Sequence, residues 1–283
     1  MSKSHIKVKK SSGEKVTFSL DKLKSSLRHS GASDKDVQYI LNVVRDELYQ
    51  GISTREIYNR AYALLKKKKS IFASKYKLKK AIYELGPTGF PFERFIGQLM
   101  HYSGYACDVG VIVSGKCVHH EVDVVAQKAK QTFYIECKFH NEEGLNCNVK
   151  IPLYINSRYR DIVDKQMNGD HTHTEGWVVT NTRFTSDAVT YGTCAGLKLL
   201  SWDYPEGNGL KDRIDRLGLY PITVSTLLTK REKNFLLGRD VVLCKQLHND
   251  RFYLDHLGIS DTRKSRILNE IALLCNDDNT RTT

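Results

Sequence analysis

The chain has 283 residues, of which 40% are hydrophobic, and carries 44 Lys/Arg against 32 Asp/Glu. That is length enough for two or three small domains. No run of 18 apolar residues occurs, which excludes a membrane-spanning helix, and the Lys-rich start lacks the apolar segment of a secretory signal. The seven cysteines are scattered and form no Cys-x-x-Cys, so reduced thiols in a cytoplasmic protein are expected rather than a zinc ribbon or a disulfide framework. The net charge of +12 is uneven. Residues 1–85 hold 20 Lys/Arg against 8 Asp/Glu, residues 86–221 hold 14 against 16, and residues 222–283 hold 10 against 8. The basic first segment predicts a polyanionic partner there.

Taken in order, residues 6–18 alternate loosely around Gly13, which predicts a two-stranded hairpin. Ser19 reads as the cap of a helix through Ser30, with Leu20, Leu23 and Leu27 as its apolar stripe. Val37, Ile40, Leu41, Val44 and Leu48 recur at helical spacing over 34–49. Ser53 and Glu56 stand at capping-box spacing before a third helix, and residues 70–84 read as a fourth. Lys66–Lys69 reads as a solvated helix end that suits the macrodipole.

Gly86-Pro87-Thr88-Gly89-Phe90-Pro91 breaks helix and strand alike and marks a domain boundary. The following helix has Phe92, Phe95, Ile96 and Leu99 on one side and Glu93 in its first turn. Residues 118–125 and 133–140 alternate at the strand period across a short polar linker, which predicts a hairpin. Alternation puts Val122 and Val124 on one face of the first run and Glu121, Asp123 and Val125 on the other. In the second run Tyr134, Glu136, Lys138 and His140 share a face, so the hairpin can bring Asp123 near Glu136 and Lys138. Two carboxylates on adjacent strands suit Mg²⁺ or Mn²⁺, which would also relieve their crowding. A lysine beside them could orient or deprotonate an attacking water and stabilise developing phosphorane charge. His119 lies nearer this surface than His120, which shares its face with the valines.

Residues 150–167 read as a helix with Gln166 near its end, and Asp170-His171-Thr172-His173 as a polar loop. Strand, helix and strand then follow at 177–180, 186–194 and 197–202, which predicts a mixed sheet with helices on its faces. After Tyr220-Pro221, Ser225 can cap a helix through about Leu237. Further helices are expected near 241–248, 250–256 and 262–275, ahead of a polar tail. Leu257-Gly258-Ile259-Ser260 with Lys264 faintly resembles a helix-hairpin-helix that lacks its second glycine, so a small helical cap or dimer surface is the favoured reading.

Two stretches resemble known families. Asp123 followed by Glu136-Cys137-Lys138 resembles the PD-(D/E)xK nuclease superfamily, with Val-Asp where that superfamily often has Pro-Asp. Phe92-Glu93, Gly104-Tyr105, Glu121-Val122-Asp123 and the segment Val179–Thr185 with Ala188 narrow the likeness to Mrr-like restriction endonucleases over about residues 88–204. The resemblance implies metal ligation by Asp123 and Glu136, a catalytic Lys138, and further catalytic roles for Glu93 and Gln166. Val8-Lys9-Lys10-Ser11-Ser12-Gly13, Phe18–Leu23 and Ser53-Thr54-Arg55-Glu56-Ile57 resemble an ATP-cone, the regulatory module known from ribonucleotide reductases, over residues 4–84. It implies that Val8, Lys9, Lys10, Lys22 and Thr54 contact ATP or dATP.

The expected fold is therefore α/β: a mixed-sheet restriction-endonuclease-like core at 86–221, an N-terminal mostly helical ATP-cone at 1–85 and a C-terminal helical region at 222–283. The expected function is Mg²⁺-dependent cleavage of DNA, gated allosterically by nucleotide in a homo-oligomer of two or more copies. A stand-alone defence role against foreign DNA follows by analogy with the family. A nucleotide-responsive DNA-binding protein that does not cut, a ribonuclease and a junction-specific nuclease stay open as alternatives.

Overall fold

The structure, a computed structural model, describes residues 6–10, 13–166 and 173–275. The N-terminal part contains β1 (Lys7–Lys9), β2 (Lys15–Thr17), α1 (Leu20–His29), α2 (Asp34–Asp46), α3 (Thr54–Lys68), α4 (Ser70–Tyr76) and α5 (Leu78–Tyr83). Ser19, Ser33 and Ser53 each accept the backbone N–H three residues on, and so cap α1, α2 and α3. Each such cap contributes about 1 kcal/mol. Val8, Leu27, Ile40, Val44, Ala61 and Leu65 form a core of their own. β1 pairs with β2 on one side, and on the other the Lys9 N–H donates to the Ile52 carbonyl at 3.0 Å, ahead of α3. The single helix expected over 70–84 is instead two, because the Lys77 N–H is shared between the Ala73 and Ser74 carbonyls and tightens that turn.

The central part contains α6 (Phe90–His101), β3 (Ala106–Ser114), β4 (His119–Lys128), β5 (Gln131–Lys138), β6 (Asn146–Cys147), α7 (Lys150–Gln166), β7 (His173–Thr180), β8 (Arg183–Phe184), α8 (Ser186–Cys194), β9 (Lys198–Leu200) and α9 (Leu210–Leu217). The sheet order is β3-β4-β5-β7-β9. β3, β4 and β5 are antiparallel, and β7 and β9 join parallel to β5. On one face α6 packs Phe92, Phe95, Ile96 and Leu99 against Val124, Ala126, Phe133 and Ile135. On the other face Ile155 and Ile162 of α7 cover Val178, Val122 and Tyr134.

Beyond a short 3-10 turn at Ile222–Val224 come α10 (Lys230–Leu237), α11 (Cys244–Asn249), α12 (Phe252–Asp255) and α13 (Asp261–Cys275). Their apolar residues, Leu236, Leu247, Ile267 and Ile271 among them, share one core with α6 and with Leu78, Ala81 and Ile82 of α5. Ser225 does not cap a helix here. Thr229 does so, in a reciprocal pair with Glu232, and the Ser225 hydroxyl instead donates to Glu270. Glu270, 3% exposed, also takes bonds from the Ser74 hydroxyl at 2.8 Å, the Thr226 N–H at 3.0 Å and the Thr226 hydroxyl at 2.7 Å. The Lys264 ammonium lies on Asp255 and Asp261 rather than free at a helix start. Among the described residues, no helix is long and apolar enough to cross a membrane.

Candidate active site

β4 does not keep the uninterrupted alternation that its sequence predicts. Val122 packs with Val125, Tyr134 and Ile162 on the α7 face, whereas Val124 packs on the α6 face. The change of face falls at Asp123. Pairing with β3 runs Val109↔Val124 and then Val111↔Val122, which leaves Gly110 opposite Asp123. Gly110 has φ 71°, a left-handed conformation that a residue without Cβ adopts readily. Pairing of β4 with β5 also ends here, at Val124↔Ile135. The Asp123 carboxylate takes over from the ladder and accepts the Cys137 N–H at 2.6 Å.

That bond seats Asp123 beside Glu136. One Glu136 oxygen is held by Arg158 Nη1 of α7 at 2.6 Å, and Arg158 Nη2 donates to the Glu121 carbonyl. Burial, then the neighbouring Asp123 charge, pushes Glu136 up to about 8, and Arg158 only partly offsets this. Burial, with Asp123 and Glu121 behind it, pushes Glu93 up to about 7. Burial also raises Asp123, against the pull of the Cys137 N–H. Lys138 is exposed at the end of β5, and among the described residues its ammonium has no hydrogen-bond partner. Asn181 holds that strand end in place: its amide donates to the His140 carbonyl at 2.8 Å and its oxygen accepts the His140 N–H at 2.9 Å. The His140 Nε2 atom is buried without a partner, and burial followed by the Lys138 charge lowers its pKa.

The structure thus brings together Asp123, Glu136 and Glu93, with Lys138 two residues along β5. The Gln166 side chain and residues 170–172 lie outside the described residues. His119 meets Ser114 at 3.1 Å, and His120 pairs with Asp161 at 2.8 Å, so neither is given to the site. The sequence reading missed Arg158 and Asn181. Asn181 lies within the motif segment, but no local pattern singles out Arg158.

Among the described residues, no group of three or more His, Cys, Asp or Glu is placed to hold a metal ion. The donor chemistry still fits a hard divalent cation. Two half-buried carboxylates repel one another, and each keeps an oxygen not used by Cys137 or Arg158. A consequence follows for the metal-free protein. Above its ordinary value of 4.5, Glu136 releases its proton in the unfolded chain but keeps it in the folded one up to about 8. The folded state therefore binds more protons across that window, and this contribution to stability is lost as pH rises through it. The drop in Tm between pH 5 and pH 8.5 should be smaller in Glu136→Gln than in the parent, by thermal unfolding in chelator. Equal drops would contradict the raised carboxylate.

Residues 87–204, which hold this sheet and these carboxylates, match the family described as Restriction endonuclease. Residues 220–275 match the family described as AF1548-like, C-terminal. The chain is 36% identical over 152 residues to an uncharacterized protein of Archaeoglobus fulgidus, covering 54% of this chain and 83% of that relative. It also superposes on a solved structure titled "Crystal Structure of Protein of Unknown Function AF1548", with a TM-score of 0.55 and 29% identity over 66% of this chain and 98% of the other. The chain belongs to the family of restriction-endonuclease-domain proteins with an AF1548-like C-terminal region.

Proposed function

We propose that this chain is an Mg²⁺- or Mn²⁺-dependent endonuclease that hydrolyses DNA phosphodiester bonds. The observation that carries the reading is the seating of Asp123 beside Glu136 at the point where β4 changes face, with Lys138 two residues along. Asp123 and Glu136 would hold the divalent ion. When bound, such an ion polarises a phosphoryl oxygen and acidifies the attacking water. Lys138 orients that water and stabilises charge that develops on the phosphodiester. Glu93, pushed up to about 7 by burial, is the auxiliary carboxyl beside this pair. The assay is nicking of supercoiled plasmid. Parallel duplex, single-stranded, branched DNA and RNA substrates decide among a duplex cutter, a junction-specific nuclease and a ribonuclease.

The N-terminal part, in this reading, binds ATP or dATP without hydrolysing it. Supporting this, Lys9 lies against Ser53 at the start of α3, next to Thr54, and Lys22 stands in the first turn of α1. Helix starts favour phosphate. Val8 is buried in the core, so its part is to place the hairpin, and the Lys10 ammonium lies 2.8 Å from Glu14 and must leave it to reach a phosphate. Lys9→Ala with Lys22→Ala should weaken ATP binding by roughly 1–3 kcal/mol for each lost charge-assisted contact. Calorimetric titration with ATP and dATP measures this, and parent-like affinity in the double variant would rule the assignment out.

A further inference from the structure

α7 returns across the face of the sheet that carries Glu136. Ile155 and Ile162 stand on the side of α7 that covers this face, packed on Val178, Val122 and Tyr134. Arg158 lies between them at helical spacing and therefore projects from the same side. A charge on a packing face is costly unless it is paired, and this one is paired twice. Nη1 holds a Glu136 oxygen at 2.6 Å and Nη2 holds the Glu121 carbonyl, with the Arg158 side chain 17% and the Glu136 side chain 13% exposed. The positive charge sits on one of the two carboxylates assigned to the divalent ion. A hydrophobic side chain would fill the same space, so packing alone does not call for a guanidinium. The guanidinium is also the side-chain group best matched to a phosphodiester, through its planar fork of donors.

We propose that Arg158 is the resident counter-cation of this site: it holds one oxygen of the ionised Glu136 in the metal-free protein, loosens when a divalent ion draws on the same carboxylate, and then turns to a phosphodiester oxygen of the substrate. The proposal rests on the nuclease reading above. Two cations that compete for one carboxylate must weaken each other, and the weakening is reciprocal. Losing Arg158 therefore strengthens metal binding, whereas losing a residue that merely props Glu136 in place would weaken it.

The test is calorimetric titration of the full chain with Mn²⁺, for the parent, Arg158→Met, Arg158→Lys and Glu136→Gln, with circular dichroism to confirm folding. Arg158→Gln replaces the Met variant if that one does not fold. Arg158→Met should bind Mn²⁺ roughly tenfold tighter than the parent, a typical coupling between competing ligands. Arg158→Lys, which keeps a charge but cannot fork to both oxygens, should fall between them. In Ca²⁺, Arg158→Met should bind a short DNA duplex more weakly than the parent. Unchanged or weaker Mn²⁺ binding in folded Arg158→Met, or unchanged duplex affinity, overturns the role given to Arg158. If the parent and Glu136→Gln take up Mn²⁺ equally, or not at all, the metal-centre reading fails as well. Mn²⁺ binding that Glu136→Gln abolishes and Arg158→Met leaves unaltered removes only the present inference.

Discussion

Supercoiled plasmid incubated with Mg²⁺ and either Asp123→Asn or Lys138→Ala should stay supercoiled, while the parent converts it to nicked or linear DNA. The expected loss is roughly 10²–10⁴-fold in rate for each variant, the usual contribution of one positioned charged group at a reacting centre. One Asp123 oxygen accepts the Cys137 N–H at 2.6 Å and so fixes the end of β5, and in the proposed reading the other would take the divalent ion. Asparagine keeps the hydrogen-bonding oxygen and removes the charge, so its loss of activity reports on the ion rather than on the strand. Lys138→Ala removes an exposed ammonium and should leave Tm near that of the parent. Ca²⁺ in place of Mg²⁺ should support DNA binding with little cleavage, since it accepts more ligands in looser geometry. Full activity in both variants would refute the assignment.

Glu270→Ala should cost the most stability of any polar substitution considered. It would strand the hydroxyls of Ser225 and Thr226 and the Thr226 N–H, and leave the Ser74 hydroxyl only its Ser70 carbonyl. Ser74 and Ser225 are fully buried, so water cannot replace the lost acceptor without reopening the packing. Unsatisfied buried donors of this kind cost about 3 kcal/mol in total. That corresponds to a fall in Tm of roughly 6–12 °C for a chain of this size. Thermal unfolding followed by circular dichroism measures it, and a Tm within a degree of the parent would show that the bonds are dispensable. Divalent-ion affinity should not change, because Glu270 lies apart from β4 and β5.

Much of the scaffold was legible because its signals are local. The serine caps of α1 and α3 are set within four residues, and the two-residue turn at Ala129-Lys130 lies where alternation pauses. The run Glu136-Cys137-Lys138 and the upstream Asp123 were visible by spacing and by family likeness. The change of face at Asp123 was not, since alternation assumes an unbroken ladder and the break falls opposite Gly110, a positive-φ residue of another strand. Arg158 was equally hidden, because its partner Glu136 is 22 residues away and they meet only through the return of α7. Ser225 and Thr229 offered the same hydroxyl signal. Only Thr229 has a Glu three residues later, and that spacing separates a cap from a side chain drawn into the Glu270 network.

The shared core has a practical meaning for anyone who shortens this chain. Leu236, Leu247, Ile267 and Ile271 stand against the same residues that α6 uses to cover the sheet, as do Leu78 and Ile82 from the N-terminal side. A gene cut after Tyr220 would open to solvent the part of this core that α10, α11 and α13 cover, and such a product should accumulate as insoluble aggregate. A cut at the Gly86-Pro87 break would strip away α5 and leave a shallower wound on the same surface. Trimming between α3 and α4 would instead cut through packing, because Phe72, Ala73 and Tyr76 of α4 belong to the N-terminal interior while Ile71 joins the other one. A piece that keeps the whole of the shared core runs from about Ser70 to Cys275 and uncovers the Phe72, Ala73 and Tyr76 side of α4, a wider span than the candidate site alone would suggest.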